Sequence, residues 1–226
     1  MVPWAAAGQT ASPVVSFYNV DENADVELSP GEEKTAQAPL DITMKANVDL
    51  EGKDYTYALE WRVYDSDKGE QEVILTRFAE ESTYTLTSSG GYGIKLYVTF
   101  VDANNDTLEY VSQQMKIVIS ESELSCPDGF SPNNDQKNDE FKIKHKSIVK
   151  LQGYVVNRWG KKLHEFTLQN VDDGWDGRYG GDYVPDGAYL LYIDALGSDG
   201  VHYKIRKAIN VLKGKNEGEG TTTGTP

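Results

Sequence analysis

Four oxygen-bearing side chains, Asn133, Asp135, Asn138 and Asp139, crowd together in the segment GFSPNNDQKNDEFKI. Calcium takes roughly six to eight oxygens from sets of this kind. The spacing is not that of an EF-hand, whose closing glutamate has no counterpart here. An Asx-rich turn explains the same residues without a ligand, because Asn and Asp side chains bond their own backbone. Ser147 and Lys150 in SIVK have the Ser-x-x-Lys spacing of an activated serine, but the helix start and partner blocks it needs are missing. His145, His164 and His202 fall in separate predicted strands without metal-ligand spacing, and surface positions on those strands account for them. No phosphate-binding glycine loop, His-Glu-x-x-His pair or nucleophile elbow occurs. Carboxylates are too abundant for any pair to single out glycoside hydrolysis. The expectation is a non-enzymatic protein with neither cofactor nor metal.

The elements that carry these residues read as strands. Fourteen tyrosines among 226 residues, with many Val and Thr, favour β-structure. Period-two alternation appears at 39–48, 55–65, 72–78, 82–87, 92–102 and 108–120. In the second of these, Tyr57, Leu59, Trp61 and Val63 fall on a greasier face opposite Ala58, Glu60, Arg62 and Tyr64. Turn-forming EGKD, DSDKGE, SSGG and DANND lie between the strands. Trp61 in an early strand, and Tyr92 entering a later one after two glycines, resemble the core tryptophan and tyrosine corner of immunoglobulin-like and PKD-like domains. Such a fold does not define a function.

Charge divides the chain in two. Residues 1–124 carry 8 Lys+Arg and 22 Asp+Glu, a net of −14, whereas residues 125–226 carry 14 of each. An acidic surface repels nucleic acid and anionic membranes, so neither is an expected partner. The single cysteine, Cys126, excludes an internal disulfide framework. No apolar run is long enough for a transmembrane helix. MVPWAAAGQTASP has small residues like a signal-peptidase site but lacks the basic and apolar regions before it. It reads as a signal remnant or a flexible end. ESELSCP (121–127) reads as a linker, and KGKNEGEGTTTGTP as a disordered tail.

Three blocks in the second half resemble one family. FSPNNDQKNDEFKI supplies Phe130, Pro132, Asn133, Asp135, Asn138, Asp139 and Phe141 at the places of the family's opening block. NRWGKKLHE supplies Asn157, Arg158, Trp159 and Gly160. WDGRYGGDYVPDGAY supplies Trp175, Asp176, Gly177, Gly181, Pro185, Asp186, Gly187 and Tyr189. In order and spacing, residues 125–213 are similar to the type B C-terminal sorting domain of the type IX (Por) secretion system, also called the gliding-motility-associated C-terminal domain. Asn134 and Gln136 replace family glycines; glutamine in a left-handed conformation costs about 1 kcal/mol. In the last block, Pro185, Asp186 and Gly187 suit a tight turn, and Trp175 and Tyr189 would cap a short core.

The expected fold is all-β, with two tandem Ig-like antiparallel β-sandwiches. The segments are a signal remnant or flexible N-terminus (1–13), an acidic Ig/PKD-like domain (14–121), the sorting domain (122–213) and a flexible tail (214–226). The resemblance implies export to the cell surface or outer-membrane exterior of a Gram-negative bacterium. Expected partners are the type IX translocon or outer-membrane attachment proteins; Lys142, Lys144, Lys146 and Lys150 read first as the solvated guard of an edge strand, and second as a contact for an anionic partner such as surface lipopolysaccharide or an acidic face of the apparatus. The chain is then an adaptor or accessory component of that machinery. The alternative is ordinary cargo, an adhesin or carbohydrate-binding module using Tyr55, Tyr57, Tyr64, Tyr97 and Tyr110 as a sugar-stacking patch. Asp106-Thr107-Leu108 resembles a bacterial O-glycosylation sequon and makes Thr107 a candidate site.

Overall fold

The computed structural model describes residues 10–50 and 54–213. The N-terminal segment expected at 1–13 falls partly, and the tail expected at 214–226 wholly, outside the described residues. The chain divides into two compact units, Met1–Glu121 and Ser122–Pro226. Among the described residues there is no α-helix, only a short 3-10 turn at Val171–Asp173 between strands.

The first unit is an Ig-like sandwich. One sheet runs in the order Glu33–Ala36, Met115–Ile119, Gly90–Val101, Thr56–Asp65, Val73–Arg77, with Thr107–Val111 also paired to Gly90–Val101. The other runs Ala24–Leu28, Val14–Asn19, Leu40–Lys45, Glu81–Leu86. Inward residues of both, among them Val15, Phe17, Ile42, Met44, Trp61, Leu96 and Ile117, form the core. The hairpin of Val14–Asn19 with Ala24–Leu28 was not among the expected strands, although Val15, Phe17, Val26 and Leu28 alternate correctly for it.

Three expectations change here. Leu59, Trp61 and Val63 are buried as predicted, but Tyr64 is buried too, while Tyr57 is exposed. Tyr64 pairs across the strands with Gly93, and a Cβ on Gly93 would run into the Tyr64 ring. The ring therefore lies on bare backbone, and burial pushes its hydroxyl up to about 12. The strand expected at 108–120 is two strands on one partner, with Tyr97 opposite Val111 but Ile94 opposite Met115. One extra residue makes a bulge there, held where the Ser112 hydroxyl accepts from the Leu96 N–H at 2.9 Å. Finally, 121–127 is not a linker. Ser122 donates to Asp199 at 2.7 Å, and Glu123–Ser125 is a strand paired with Lys144–Lys146.

The second unit has one full sheet, in the order Gly129–Phe130, His202–Val211, Gly187–Gly197, Ile148–Val156, Lys162–Thr167. Its opposing layer is thin, made of the Glu123–Ser125/Lys144–Lys146 ribbon and ordered loops. From those loops Phe141, Ile143, Val171, Trp175 and Val184 enter the same core as Phe130, Leu151, Val155, Phe166, Leu191, Ile193 and Ile209 of the sheet. The predicted hairpins turn where expected, at Asn157–Lys161 and after Gly197. Neither unit is wholly antiparallel. Glu33–Ala36 runs parallel to Met115–Ile119, and Gly129–Phe130 parallel to His202–Val211. In each case an early strand is brought beside the last one, which no local sequence pattern encodes.

Each unit also has a tyrosine tying a turn to the strand after it. Tyr92 donates to the Ser88 carbonyl at 2.9 Å, the corner expected from the sequence, and Tyr189 donates to the Pro185 carbonyl at 2.6 Å. Removing either hydroxyl strands a partly buried carbonyl. Tyr92→Phe and Tyr189→Phe are each expected to lower the stability of their own unit by about 1 kcal/mol. Denaturant unfolding followed separately in the two units by hydrogen exchange checks this.

Candidate functional site

Two of the three sequence blocks converge on one cleft. Its volume is about 410 Å³, and its walls include Asn157, Arg158, Trp159, Lys161, Tyr179, Asp182, Tyr183, Pro185, Asp186, Gly187 and Tyr189. The first wall is the hairpin turn. The Asn157 side-chain oxygen accepts from the Trp159 N–H at 3.0 Å and the Lys161 N–H at 2.9 Å, while Gly160 N–H reaches the Asn157 carbonyl. This Asx turn absorbs the polar backbone, so Arg158 and Trp159 are left to project. Trp159 is 76% exposed, the most exposed large ring among the described residues.

The second wall is the ribbon Arg178–Tyr179 with Asp182–Tyr183. Its two-residue turn, Gly180-Gly181, has positive φ at both positions (67° and 99°), the requirement of a type I′ hairpin. The third is the Pro185-Asp186-Gly187 turn, in which Gly187 takes φ 149° as the sequence implied. Asp186 accepts from the Lys213 backbone N–H at 3.4 Å and pairs with its ammonium at 3.8 Å. Tyr189 is held against this turn, its hydroxyl pushed up by burial and by Asp186.

Trp175, Asp176 and Gly177 position the cleft rather than line it. Trp175 is 1% exposed; its indole N–H donates to the Arg178 carbonyl at 3.0 Å. Phe141 and Trp175 exchange backbone hydrogen bonds at 2.8 and 3.1 Å. Asp176 accepts from the Arg178 N–H at 3.0 Å. Gly177 has φ 79° and packs so closely on Pro132 and Phe130 that a side chain there would press on both. Thus the opening block meets the third block in the core, and the third meets the second at the cleft.

The opening loop bonds largely to itself. Asp139 accepts backbone N–H groups from Asn133, Asn134 and Gln136 at 3.0, 2.7 and 2.7 Å. Asn133 accepts from Asp135 N–H, and Asn138 offers its carbonyl to Ser131 N–H at 2.7 Å. Asn134, Gln136 and Asn138 all take positive φ, a conformation that asparagine tolerates and that strains Gln136. Among the described residues no group of three or more His, Cys, Asp or Glu is placed to hold a metal ion. Ser147 lies at a buried bend between strands, with Lys150 exposed on Ile148–Val156, so the pair lacks the helix its chemistry needs.

Other expected residues disperse. Thr107 is exposed beside the turn organised by Asp102, whose carboxylate accepts from Asn104 and Asp106 N–H at 2.8 Å. Lys144 and Lys146 share a short strand, but Lys142 lies outside it and pairs with Glu140 at 2.9 Å. The aromatic patch expected on the first unit does not form as a set. Tyr64 is buried, Tyr57 donates to Glu80, and Tyr97 donates to Glu70 while Arg62 covers its ring at 4.2 Å. His164 is not a surface residue either. It is half-buried, edge-on to Phe166 at 4.5 Å and stacked on Trp175 at 6.0 Å. Tyr179, Tyr183 and Lys161 were not singled out as site residues. The signal was present in RYGGDY, two rings flanking a glycine pair.

Residues 124–211 match the family model of the CHU_C type IX secretion signal domain. The second unit is therefore a secretion signal of that system, and it marks the chain for export through the outer membrane. No curated protein matches the chain. Solved structures similar to it include fibronectin(III)-like modules of Clostridium thermocellum CbhA (13% identity, 81% of this chain and 89% of that one, TM-score 0.24). Others are the FN1–FN3 domains of chicken CNTN1 (10%, 92% and 91%, TM-score 0.32) and dimeric latent PorU from Porphyromonas gingivalis (13%, 89% and 20%, TM-score 0.26). No helix among the described residues is long and apolar enough to cross a membrane.

Burial lowers the pKa of His164 below its ordinary 6.5, with Asp176 acting in the opposite direction. In the unfolded chain this histidine takes a proton as pH falls below about 6.5, while in the folded unit it stays neutral to lower pH. Its contribution is therefore complete above pH 6.5 and is lost as pH falls through the window down to the lowered folded value. The second unit is expected to lose stability on going from pH 7.5 to 5.5, and His164→Leu to flatten that dependence. Urea unfolding at both pH values provides the check; equal slopes for the two proteins would contradict it.

Proposed function

We propose that this chain is a non-enzymatic cargo of the type IX secretion system, in which the second unit is the address label and the acidic first unit is the passenger. After export the protein is held on the outer face of the outer membrane through the cleft face, with Asn157–Gly160 and Pro185–Tyr189 as its contact residues. The observation that carries this reading is the convergence of two sequence blocks on an exposed aromatic surface instead of on a catalytic grouping. Exposed Trp, Tyr and Arg are the residue types that dominate recognition surfaces.

An adaptor within the secretion machinery would use the same label but would need a further contact surface on the first unit. Tyr57, Tyr64 and Tyr97 are engaged by the first unit itself, so the passenger is not read as a sugar-stacking module. The acidity of the passenger keeps it soluble and away from anionic surfaces.

The test compares the full chain with a chain lacking residues 122–213 in a bacterium with a working type IX system. The truncated protein is expected to collect in the periplasm with its first unit folded. Its appearance on the cell surface would refute the label, and stoichiometric co-purification of the full chain with translocon subunits would identify an adaptor instead of cargo.

A further inference from the structure

The cleft's composition specifies a ligand class. Three of its rings each have a cation against a face. Arg158 lies 4.4 Å from the Trp159 ring centre, Lys161 4.4 Å from that of Tyr179, and Arg178 4.2 Å from that of Tyr183. Arg178 also meets Asp176 at 3.6 Å, and Lys213, near Tyr183, meets Asp186 at 3.8 Å. Arg158 and Lys161 differ from these: among the described residues neither has a carboxylate within ion-pair distance. Two uncompensated cations thus stand beside exposed rings, and Asn157, Asp182 and Asp186 belong to the same walls.

These groups answer to one ligand chemistry. An exposed ring face packs against the C–H face of a sugar. Carboxylate oxygens accept from sugar hydroxyls, and Arg158 and Lys161 call for a ligand that carries negative charge. A neutral sugar leaves both cations unanswered. An acidic peptide such as polyglutamate answers them but offers no sugar C–H face to Trp159 and no hydroxyl to Asp182. The cleft also falls within the size range of small-ligand sites, roughly 300–1,000 Å³.

We propose that this cleft binds an acidic saccharide, a sugar ring bearing a carboxylate or phosphate; the proposal rests on the reading of the cleft face as the retention surface. Trp159 supplies the stacking face, Arg158 and Lys161 pair with the acid group, and Asp182 takes a hydroxyl. The lysines at 142–150 are a separate feature and have no part in it.

The full chain is titrated with oligogalacturonate, a neutral cello-oligosaccharide of equal length and a polyglutamate peptide, followed by amide chemical shifts. Oligogalacturonate is expected to bind saturably, with shifts concentrated at 157–161 and 179–189. The neutral oligomer, Trp159→Ala and the double variant Arg158→Ala/Lys161→Ala are each expected to bind or be bound roughly tenfold more weakly. All three substituted side chains sit in one exposed turn, so unchanged melting verifies that the variants fold. Equal affinity for the neutral oligomer, tighter binding of polyglutamate, or binding indifferent to both variants overturns the proposal. Cell retention is scored separately. Loss of saccharide binding by Trp159→Ala with normal retention keeps the saccharide site and removes the retention reading. Release of Trp159→Ala from cells, with no saccharide binding by the parent protein, does the reverse.

Discussion

The burial of Trp175 is the constraint around which the second unit is arranged. With one full sheet and only a short ribbon opposite it, this unit closes its core with loops. A buried loop must satisfy its own backbone polar groups. Trp175 meets that requirement on both sides. Its backbone exchanges hydrogen bonds with Phe141, its indole N–H is taken by the Arg178 carbonyl, and its ring packs on Phe130 at 5.4 Å and Tyr189 at 6.1 Å. Truncating a buried tryptophan costs about 3–5 kcal/mol. That is a large part of the roughly 5–15 kcal/mol by which a domain is stable.

Once that ring is fixed, the exposed chemistry follows from the same loops. Asp176 and Gly177 turn the chain out of the core, the glycine pair folds it back, and Pro185 to Tyr189 return it to the sheet. Tyr179 and Tyr183 are carried outward on the way, opposite the turn in which Asn157 frees Arg158 and Trp159. The glycines and aspartates satisfy the backbone, while the rings divide into those that fill the core and those that face the cleft. A segment rich in both turn-formers and aromatics is therefore required on two counts.

Much of this was legible in the sequence, and the exceptions have identifiable causes. Alternation located most strands because burial on one face enforces a period of two. It failed at Tyr64 because a glycine on the neighbouring strand opens room for a ring on the nominally polar face. It failed at Ser112 because one inserted residue reverses the parity of everything after it. ESELSCP looked like a linker by polarity, yet its Glu123–Ser125 backbone pairs with Lys144–Lys146, and its Ser122 is held by Asp199; neither contact is local. The three family blocks pointed to the right residues but not to their division of labour. Nothing in Trp175 and Trp159 as letters says that one is the core and the other the contact. Burial alone separates them.

On this reading residues 122–213 act as a self-contained label whose fold depends on Trp175. Its most direct test is to join this segment to the C-terminus of a stably folded periplasmic reporter in a bacterium with a type IX system, and to measure the reporter outside the cell. Export of the fusion is predicted, together with retention in the periplasm when the segment carries Trp175→Ala. Periplasmic retention of the unaltered fusion, or undiminished export of the Trp175→Ala fusion, would show that the segment is not such a label.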